Sequence, residues 1–118
     1  MQKRLLSSAE KIYRNRDQLI ADLRRIAKKI QKEKKVKEII LFGSIARGDY
    51  GLYSDADILI ILEKSDKKRY FDRIPDLIGY FVNSLIHVDI FPYTVKEIET
   101  MRINNQFIKR ALTEGIKL

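Results

Sequence analysis

The hydrophobic positions in the first third of the chain predict a helix. They are Ile12, Leu19, Leu23, Ile26 and Ile30. Spacings of three, four and seven residues place them on one apolar stripe. The Ser-x-x-Glu pattern from Ser7 to Glu10 is typical of a helix start. The pattern therefore predicts a long helix that reaches from about Ser7 to Glu33.

Three later stretches have the pattern of β-strands. Val36 to Phe42 ends in a continuous apolar run, and Asp57 to Leu62 is a second run of this kind. Such runs are typical of strands that are buried on both faces. Leu85 to Phe91 alternates between apolar and polar residues, which predicts a third strand, and we expect Pro92 to stop it.

Helices are predicted between and after these strands. Lys67 to Ser84 has an apolar side and should restart at Pro75, because proline disrupts a helix interior but suits its first turn. A second capping box, Thr94 to Glu97, should open a helix over roughly Val95 to Arg102. A final short helix should end at Gly115. The elements together predict an α+β fold, a small mixed β-sheet with helices packed against it.

Length and composition limit the classes of protein. The 118 residues fit a single domain over 1–118, and 45% hydrophobic residues with 34% charged exclude a disordered chain. No apolar run is long enough to span a membrane, and no signal segment is visible, so we expect a cytoplasmic protein. The absence of cysteine excludes thiolate metal sites. The formal net charge of +8 favours an anionic partner without choosing among nucleotides, nucleic acids and acidic proteins.

The chemistry is expected in the stretch that joins the first two strands. Gly43 and Ser44 close the first strand, ten residues intervene, and Asp55 and Asp57 open the second. Residues i and i+2 of a strand share a face, so the two carboxylates should project together, with no basic neighbour in sequence to pair with. Like charges held together require a shared proton or a bound cation.

A metal and phosphate site fits this arrangement. Carboxylate oxygens suit Mg²⁺, and two such ions can hold the attacking and leaving oxygens of a displacement at phosphorus. Gly43 would let a phosphate approach the backbone, and Ser44 would cap a short helical turn and donate to the phosphate. Arg47 would contact phosphate oxygens or brace an aspartate. Asp89, on the third strand, supplies a third carboxylate near the first two.

Other candidates have structural alternatives. His87 shares the predicted face of Asp89 and would carry a proton or contact a base, or else lie beside the site or at the surface. Tyr50 and Tyr53 would stack on a base or simply anchor the loop. The run Lys28, Lys29, Lys32, Lys34 and Lys35 is interpreted as a solvated face or as a nucleic-acid patch, and the first is favoured because no aromatic residue or glycine interleaves with it.

The spacing Gly-Ser-x10-Asp-x-Asp, together with the stretch GSIARGDYGLYSDADILI and the later HVDIFPYT, resembles the polymerase-beta-type nucleotidyltransferases. Within that superfamily it is similar to the minimal nucleotidyltransferase (MNT) family, from about Val36 to the end of the chain. The resemblance implies a polymerase-beta-like fold in which Gly43 and Ser44 hold the triphosphate of ATP. It also implies that Asp55, Asp57 and Asp89 bind Mg²⁺ and that Asp89 helps to activate the attacking hydroxyl.

The resemblance further implies a partner. Proteins of the MNT family act as antitoxins that transfer AMP from ATP to a tyrosine of a HEPN-domain RNase toxin. Little chain remains to build a pocket for an acceptor, which also favours a protein substrate. The alternative is a non-catalytic antitoxin that neutralises its HEPN partner by forming a complex. A nucleic-acid-binding module ranks last, because the sequence has no evident aromatic platform for stacking.

Overall fold

The structure is a computed structural model that describes residues 15–51 and 53–118. Its helices are α1 (Arg16–Glu33), α2 (Ser44–Arg47), α3 (Ile74–Ile78), α4 (Val95–Asn104) and α5 (Gln106–Glu114), with 3₁₀ turns at Tyr70–Arg73 and Gly79–Phe81. Its strands are β1 (Val36–Phe42), β2 (Ala56–Leu62), β3 (Val88–Thr94) and β4 (Ile116–Lys117). The predicted α+β class is confirmed.

The four strands form one mixed sheet in the order β3-β2-β1-β4. β1 pairs antiparallel with both β2 and β4, whereas β2 and β3 run parallel. The register pairs Phe42 with Asp57 across β1 and β2, and Asp57 with Asp89 across β2 and β3. The end of β1 and the starts of β2 and β3 therefore meet at one end of the sheet.

The hydrophobic core lies on both faces of this sheet. One cluster packs α1 against alternate residues of the strands, including Leu41, Ile58 and Ile90. The second packs α4 and α5 against the other face, through Phe42, Leu59 and Ile108. Side chains alternate across a strand, so Asp57 and Asp89 lie on the α5 face.

The start of the first helix differs from the prediction. The capping box at Ser7 to Glu10 lies outside the described residues. The helix that the structure describes begins at Arg16, after the N-cap Asn15, whose side chain accepts a hydrogen bond from the backbone N–H of Gln18. A helix that continues through Asn15 is therefore wrong, because the backbone of Asn15 is non-helical.

The third strand also differs from the prediction. It covers Val88–Thr94, so Pro92 lies inside it and does not stop it. β3 is an edge strand, where a residue without an N–H can face away from the sheet. The predicted helical region over Lys67 to Ser84 consists of several short helices, and Pro75 lies in the first turn of one of them, α3. The capping box of Thr94 and Glu97 is confirmed, and α4 runs on to Asn104.

Candidate active site

The turn after β1 is built around Gly43. This residue has φ +79° and ψ −157°, a backbone region that is essentially restricted to glycine. A Cβ at this position would collide with the Oδ2 atom of Asp57. The absence of a side chain thus lets the turn lie directly against the carboxylate, and Gly43, not Ser44 as predicted, is the N-cap of α2.

The first helix holds this turn in place through Arg16. Its Nε donates to the carbonyl oxygen of Ile45 at 2.8 Å, and its Nη2 donates to that of Ala46 at 2.6 Å. Ile45 is fully buried in the core on the α1 face of the sheet, and it anchors the turn there. Gly48, with φ +89°, then ends α2 in the left-handed conformation and lets the chain return toward β2.

The three predicted acids lie together at one end of the sheet. Asp57 and Asp89 are in register on neighbouring strands, and Asp55 precedes Asp57 by two residues. Asp57 is half-buried, whereas Asp55 and Asp89 are exposed. The sheet therefore presents one partly desolvated carboxylate flanked by two that solvent or a ligand can reach.

The electrostatics of Asp57 reflect this crowding. Burial raises the pKa of its carboxyl above the ordinary value, and the negative charges of Asp89 and Asp55 raise it further. The guanidinium of Arg47 lowers the same pKa, but by less than these combined effects. The site consequently has an excess of negative charge, which a cation would relieve.

Arg47 lies at the end of α2, beside the acids. Its Nε is 3.2 Å from Asp49 Oδ2, and its Nη1 is 4.0 Å from Glu114 Oε2 on α5. The side chain is about half exposed, so these ion pairs are weak and exchangeable. Arg47 can therefore turn toward an anionic ligand at the Gly43 turn.

A cavity of about 350 Å³ opens next to this turn, between the end of β1 and helix α5. Its lining residues are Phe42, Gly43, Arg47, Gln106, Phe107, Arg110 and Glu114. Phe107 is 41% exposed, and its ring meets those of Phe42 and Phe91 at centroid distances of 5.1 and 5.0 Å. Within the described part of the chain, Arg110 has no ion pair. The cavity thus combines an aromatic wall with two cations.

The residues present fit a hard divalent cation that is shared with a ligand. Among residues 15–51 and 53–118, no three acidic or histidine side chains converge closely enough to hold a metal alone. Mg²⁺ usually takes one or two carboxylates and completes its shell with water and substrate phosphates. Asp57 fits a site of this kind together with its neighbouring carboxylates, because burial and the charges of Asp89 and Asp55 disfavour its ionised form and a bound cation would offset them.

The remaining candidates are placed less centrally. His87 is exposed and lines a different cavity, beside the start of β3, although its backbone carbonyl accepts a hydrogen bond from the Ala56 N–H. Tyr50 packs against the core on the α1 face, and Tyr53 is 89% exposed. The structure therefore favours the structural alternative for Tyr50.

Sequence reasoning missed the contribution of two helices. Arg16 lies 29 residues before the carbonyl that it contacts, and only the folded chain brings them together. Phe107 and Arg110 lie in the predicted final helix, whose pattern alone gives neither of them a role in the site. The spacing of Phe107 and Arg110 at i and i+3, which shares a helix face, was the available signal.

These features define a class of protein. The chain belongs to the nucleotidyltransferase domain family, which residues 23–117 match. The protein is therefore a nucleotidyltransferase, and the resemblance to nucleotidyltransferases is confirmed at the level of this family.

Individual relatives agree with this assignment. The chain is 44% identical over 86 residues to a Methanocaldococcus jannaschii protein named "Putative protein adenylyltransferase MJ0128", covering 68% of this chain and 88% of the relative. A second protein of that organism, "Putative protein adenylyltransferase MJ1379", is 33% identical over 99 residues, covering 82% of this chain and 91% of the relative.

A solved structure supports the fold. A nucleotidyltransferase from Sulfolobus solfataricus, described as putative, superposes with a TM-score of 0.64, covering 98% of this chain and 90% of that chain at 20% identity. None of the helices within the described ranges is both long and apolar enough to cross a membrane.

Proposed function

We propose that this protein is an Mg²⁺-dependent protein adenylyltransferase that transfers AMP from ATP to a hydroxyl side chain of another protein. The observation that carries the proposal is the contact between Gly43 and Asp57, with Asp55 and Asp89 flanking the same carboxylate. A phosphate-accessible backbone turn and a cluster of acids meet there within one site. The names of the relatives support a protein as the acceptor.

The reaction is a displacement at the α-phosphorus. The acceptor oxygen forms a bond to phosphorus, the bond to the β-phosphate oxygen breaks, and pyrophosphate leaves with its electron pair. Mg²⁺, when bound, would neutralise the charge of the phosphates. Asp55 and Asp57 would hold the ions together with Asp89, which would also take the proton of the attacking hydroxyl. Gly43 and Ser44 would hold the triphosphate, with Arg47 beside its oxygens.

The cavity between β1 and α5 would receive the nucleoside end of ATP. The cavity begins at Gly43, so a nucleotide whose triphosphate is bound at the turn would extend into it. The exposed ring of Phe107 offers a face for the base, and base–aromatic stacking contributes about 1–3 kcal/mol. Arg110, which has no ion pair within the described residues, would meet a phosphate or ribose oxygen.

An adjacent pair of residues tests this placement. Arg110 and Lys109 are both exposed cations of α5, but only Arg110 lines the cavity. Losing a charge-assisted hydrogen bond of about 1.5–3 kcal/mol would raise the KM for ATP by about tenfold or more in Arg110→Gln. Lys109→Gln should leave the KM for ATP unchanged. Equal effects of the two substitutions would place the nucleotide elsewhere.

The acceptor that the resemblance implies is a HEPN-domain toxin. The purified protein, a HEPN-domain protein encoded beside it, ATP and Mg²⁺ would be mixed, and the HEPN protein would then be weighed by mass spectrometry. A mass increase in steps of AMP that is lost with Asp57→Asn supports the enzyme. A stable complex of unchanged mass would instead support an antitoxin that acts by binding alone.

A further inference from the structure

A second cavity, of about 570 Å³, lies beside the start of β3. It is lined on one side by Ile78, Phe81 and Val82, which lie in or just after the short helices, and on the other by the segment Leu85–Val88. Val82 is 76% exposed and Leu85 40% exposed, so apolar surface faces solvent here. We call this feature the β3 groove.

The β3 groove adjoins the proposed acceptor end of the active site. Val88, which lines the groove, directly precedes Asp89. Successive residues of a strand point to opposite faces, so Val88 faces the α1 side of the sheet while Asp89 faces the α5 side. The groove and the Asp89 carboxylate therefore lie on opposite faces of the sheet, on either side of the edge strand β3.

The outer edge of β3 is open at Val88, which is partly exposed, but not at Ile90, which is only 6% exposed. The His87 carbonyl bonds inward to β2, so by alternation the N–H and C=O groups of Val88 and Ile90 point outward. Among the described residues, none donates to or accepts from these outward groups. Farther along the edge, the Pro92 carbonyl accepts from Arg73 Nη1 at 3.1 Å. The open edge is thus confined to Val88, and Pro92 has no N–H to offer.

We propose that an extended segment of the acceptor protein pairs with this open edge, with its hydroxyl side chain on the Asp89 face and the apolar residue next to it in the β3 groove. The proposal rests on the proposed function, which supplies a protein acceptor. A strand added at a sheet edge alternates its side chains between the two faces, so the two contacts require adjacent residues. The net charge of +8 favours acidic residues toward the ends of the segment, away from the three aspartates.

Two synthetic peptides test the alternation. Each has eight residues with a central tyrosine, two valines, acidic ends and a fluorescent label. In the first the valines adjoin the tyrosine, and in the second they lie two positions away, on the face of the tyrosine itself. We expect the first peptide to bind at least about fivefold more tightly by fluorescence polarisation, and backbone N-methylation beside its tyrosine to remove the difference.

A matched pair of variants tests the groove. Val82→Glu and Phe71→Glu replace apolar side chains that are 76% and 77% exposed, but only Val82 lines the groove. Val82→Glu should weaken binding of the first peptide by about fivefold or more, and Phe71→Glu should not. Both variants should keep the wild-type affinity for ATP, which shows that they are folded.

Other results would overturn the proposal. Equal binding of the two peptides, no binding of either peptide, or equal effects of the two variants would each do so. Self-association in sedimentation that Val82→Glu abolishes would also do so, because a second copy of this chain would then occupy the groove. Mass spectrometry of the acceptor protein tests the proposed function separately. AMP transfer without groove-dependent peptide binding would overturn this inference alone, and groove-dependent binding without AMP transfer would overturn the proposed function.

Discussion

Gly43 is the residue whose backbone the candidate site constrains most. In Gly43→Ala the side chain would occupy a conformation that costs about 1–3 kcal/mol and would collide with Asp57 Oδ2. We expect the free energy of unfolding in urea to fall by about that amount and ATP affinity to fall at least about tenfold.

Gly79 offers a matched control for this change. It lies in a helical conformation with φ −58°, and nothing lies within 4 Å of a Cβ placed there. Gly79→Ala should be neutral or stabilise the fold by up to about 1 kcal/mol, since alanine restricts the unfolded chain. A loss of stability as large as that of Gly43→Ala would show that the loss is not specific to the turn.

Asp57 should make the stability of the protein depend on pH. Its pKa is raised in the folded state, so the folded protein binds its proton more tightly than the unfolded chain does. This contribution to stability is present at acidic pH and is lost as the pH rises from the ordinary pKa of an aspartate through the raised one. Asp57→Asn should therefore raise the urea midpoint at pH 7 without divalent cations, and have less effect at pH 4.

The same variant tests metal binding without an activity assay. Adding Mg²⁺ at pH 7 should stabilise the wild type, because a ligand that binds only the folded state shifts the unfolding equilibrium. The urea midpoint of Asp57→Asn should respond much less. Stabilisation of both proteins to the same extent would place the cation away from Asp57.

At the scale of single elements, α1 supports the active-site turn. Replacing Arg16 by alanine removes two hydrogen bonds from a charged group to the Ile45 and Ala46 carbonyls. We expect the free energy of unfolding to fall by at most about 1.5–3 kcal/mol for each bond. The KM for ATP should rise, because the turn is then held less firmly. Arg24→Ala, which changes an exposed arginine of the same helix, should leave both quantities nearly unchanged.

The elements also show what the sequence could and could not predict. The strand patterns predict that Asp55 and Asp57 share a face of one strand and that His87 and Asp89 share a face of another, because side-chain alternation is local. The stop at Pro92 failed because only the strand order makes β3 an edge, and strand order depends on contacts distant in sequence. The contact of Arg16 with the turn and the cavity against α5 depend on tertiary packing in the same way.

At the scale of the whole molecule, Arg73 joins three parts of the chain. It is 4% exposed and donates to the carbonyls of Lys67, Lys68 and Pro92 and to both carboxylate oxygens of Glu97. These five bonds use all five N–H groups of the guanidinium. The segment after β2, the edge strand and α4 are thereby tied together.

A lysine cannot replace this residue. Arg73→Lys keeps the charge but has three donors, so at least two of the five hydrogen bonds are lost, and a hydrogen bond from a charged group contributes about 1.5–3 kcal/mol. We expect a loss of about 2 kcal/mol or more in urea unfolding. Arg69→Lys, an exposed position nearby, should change the free energy of unfolding by less than about 0.5 kcal/mol.

The partner of Arg73 should contribute to acid unfolding. The hydrogen bond from Arg73 is the largest cause of a lowered pKa at Glu97. A lowered pKa means that the stabilisation is present above the ordinary pKa of a glutamate, about 4.3, and is lost as the pH falls through the lowered value. Glu97→Gln should therefore reduce the loss of stability between about pH 5 and pH 3, measured by urea unfolding.

The parallel register of β2 and β3 fixes the relative position of the two acids independently of the chain that connects the strands. Asp57 and Asp89 meet because the two strands pair residue for residue, whatever path the chain takes from Glu63 to His87. Of the side chains in that connection, only those of Arg73, Leu77 and Phe81 are buried, so most of it lies outside the core that supports the two strands. Since this connection also forms part of the β3 groove, substitutions there can reshape that surface over evolutionary time while the register keeps the two acids side by side.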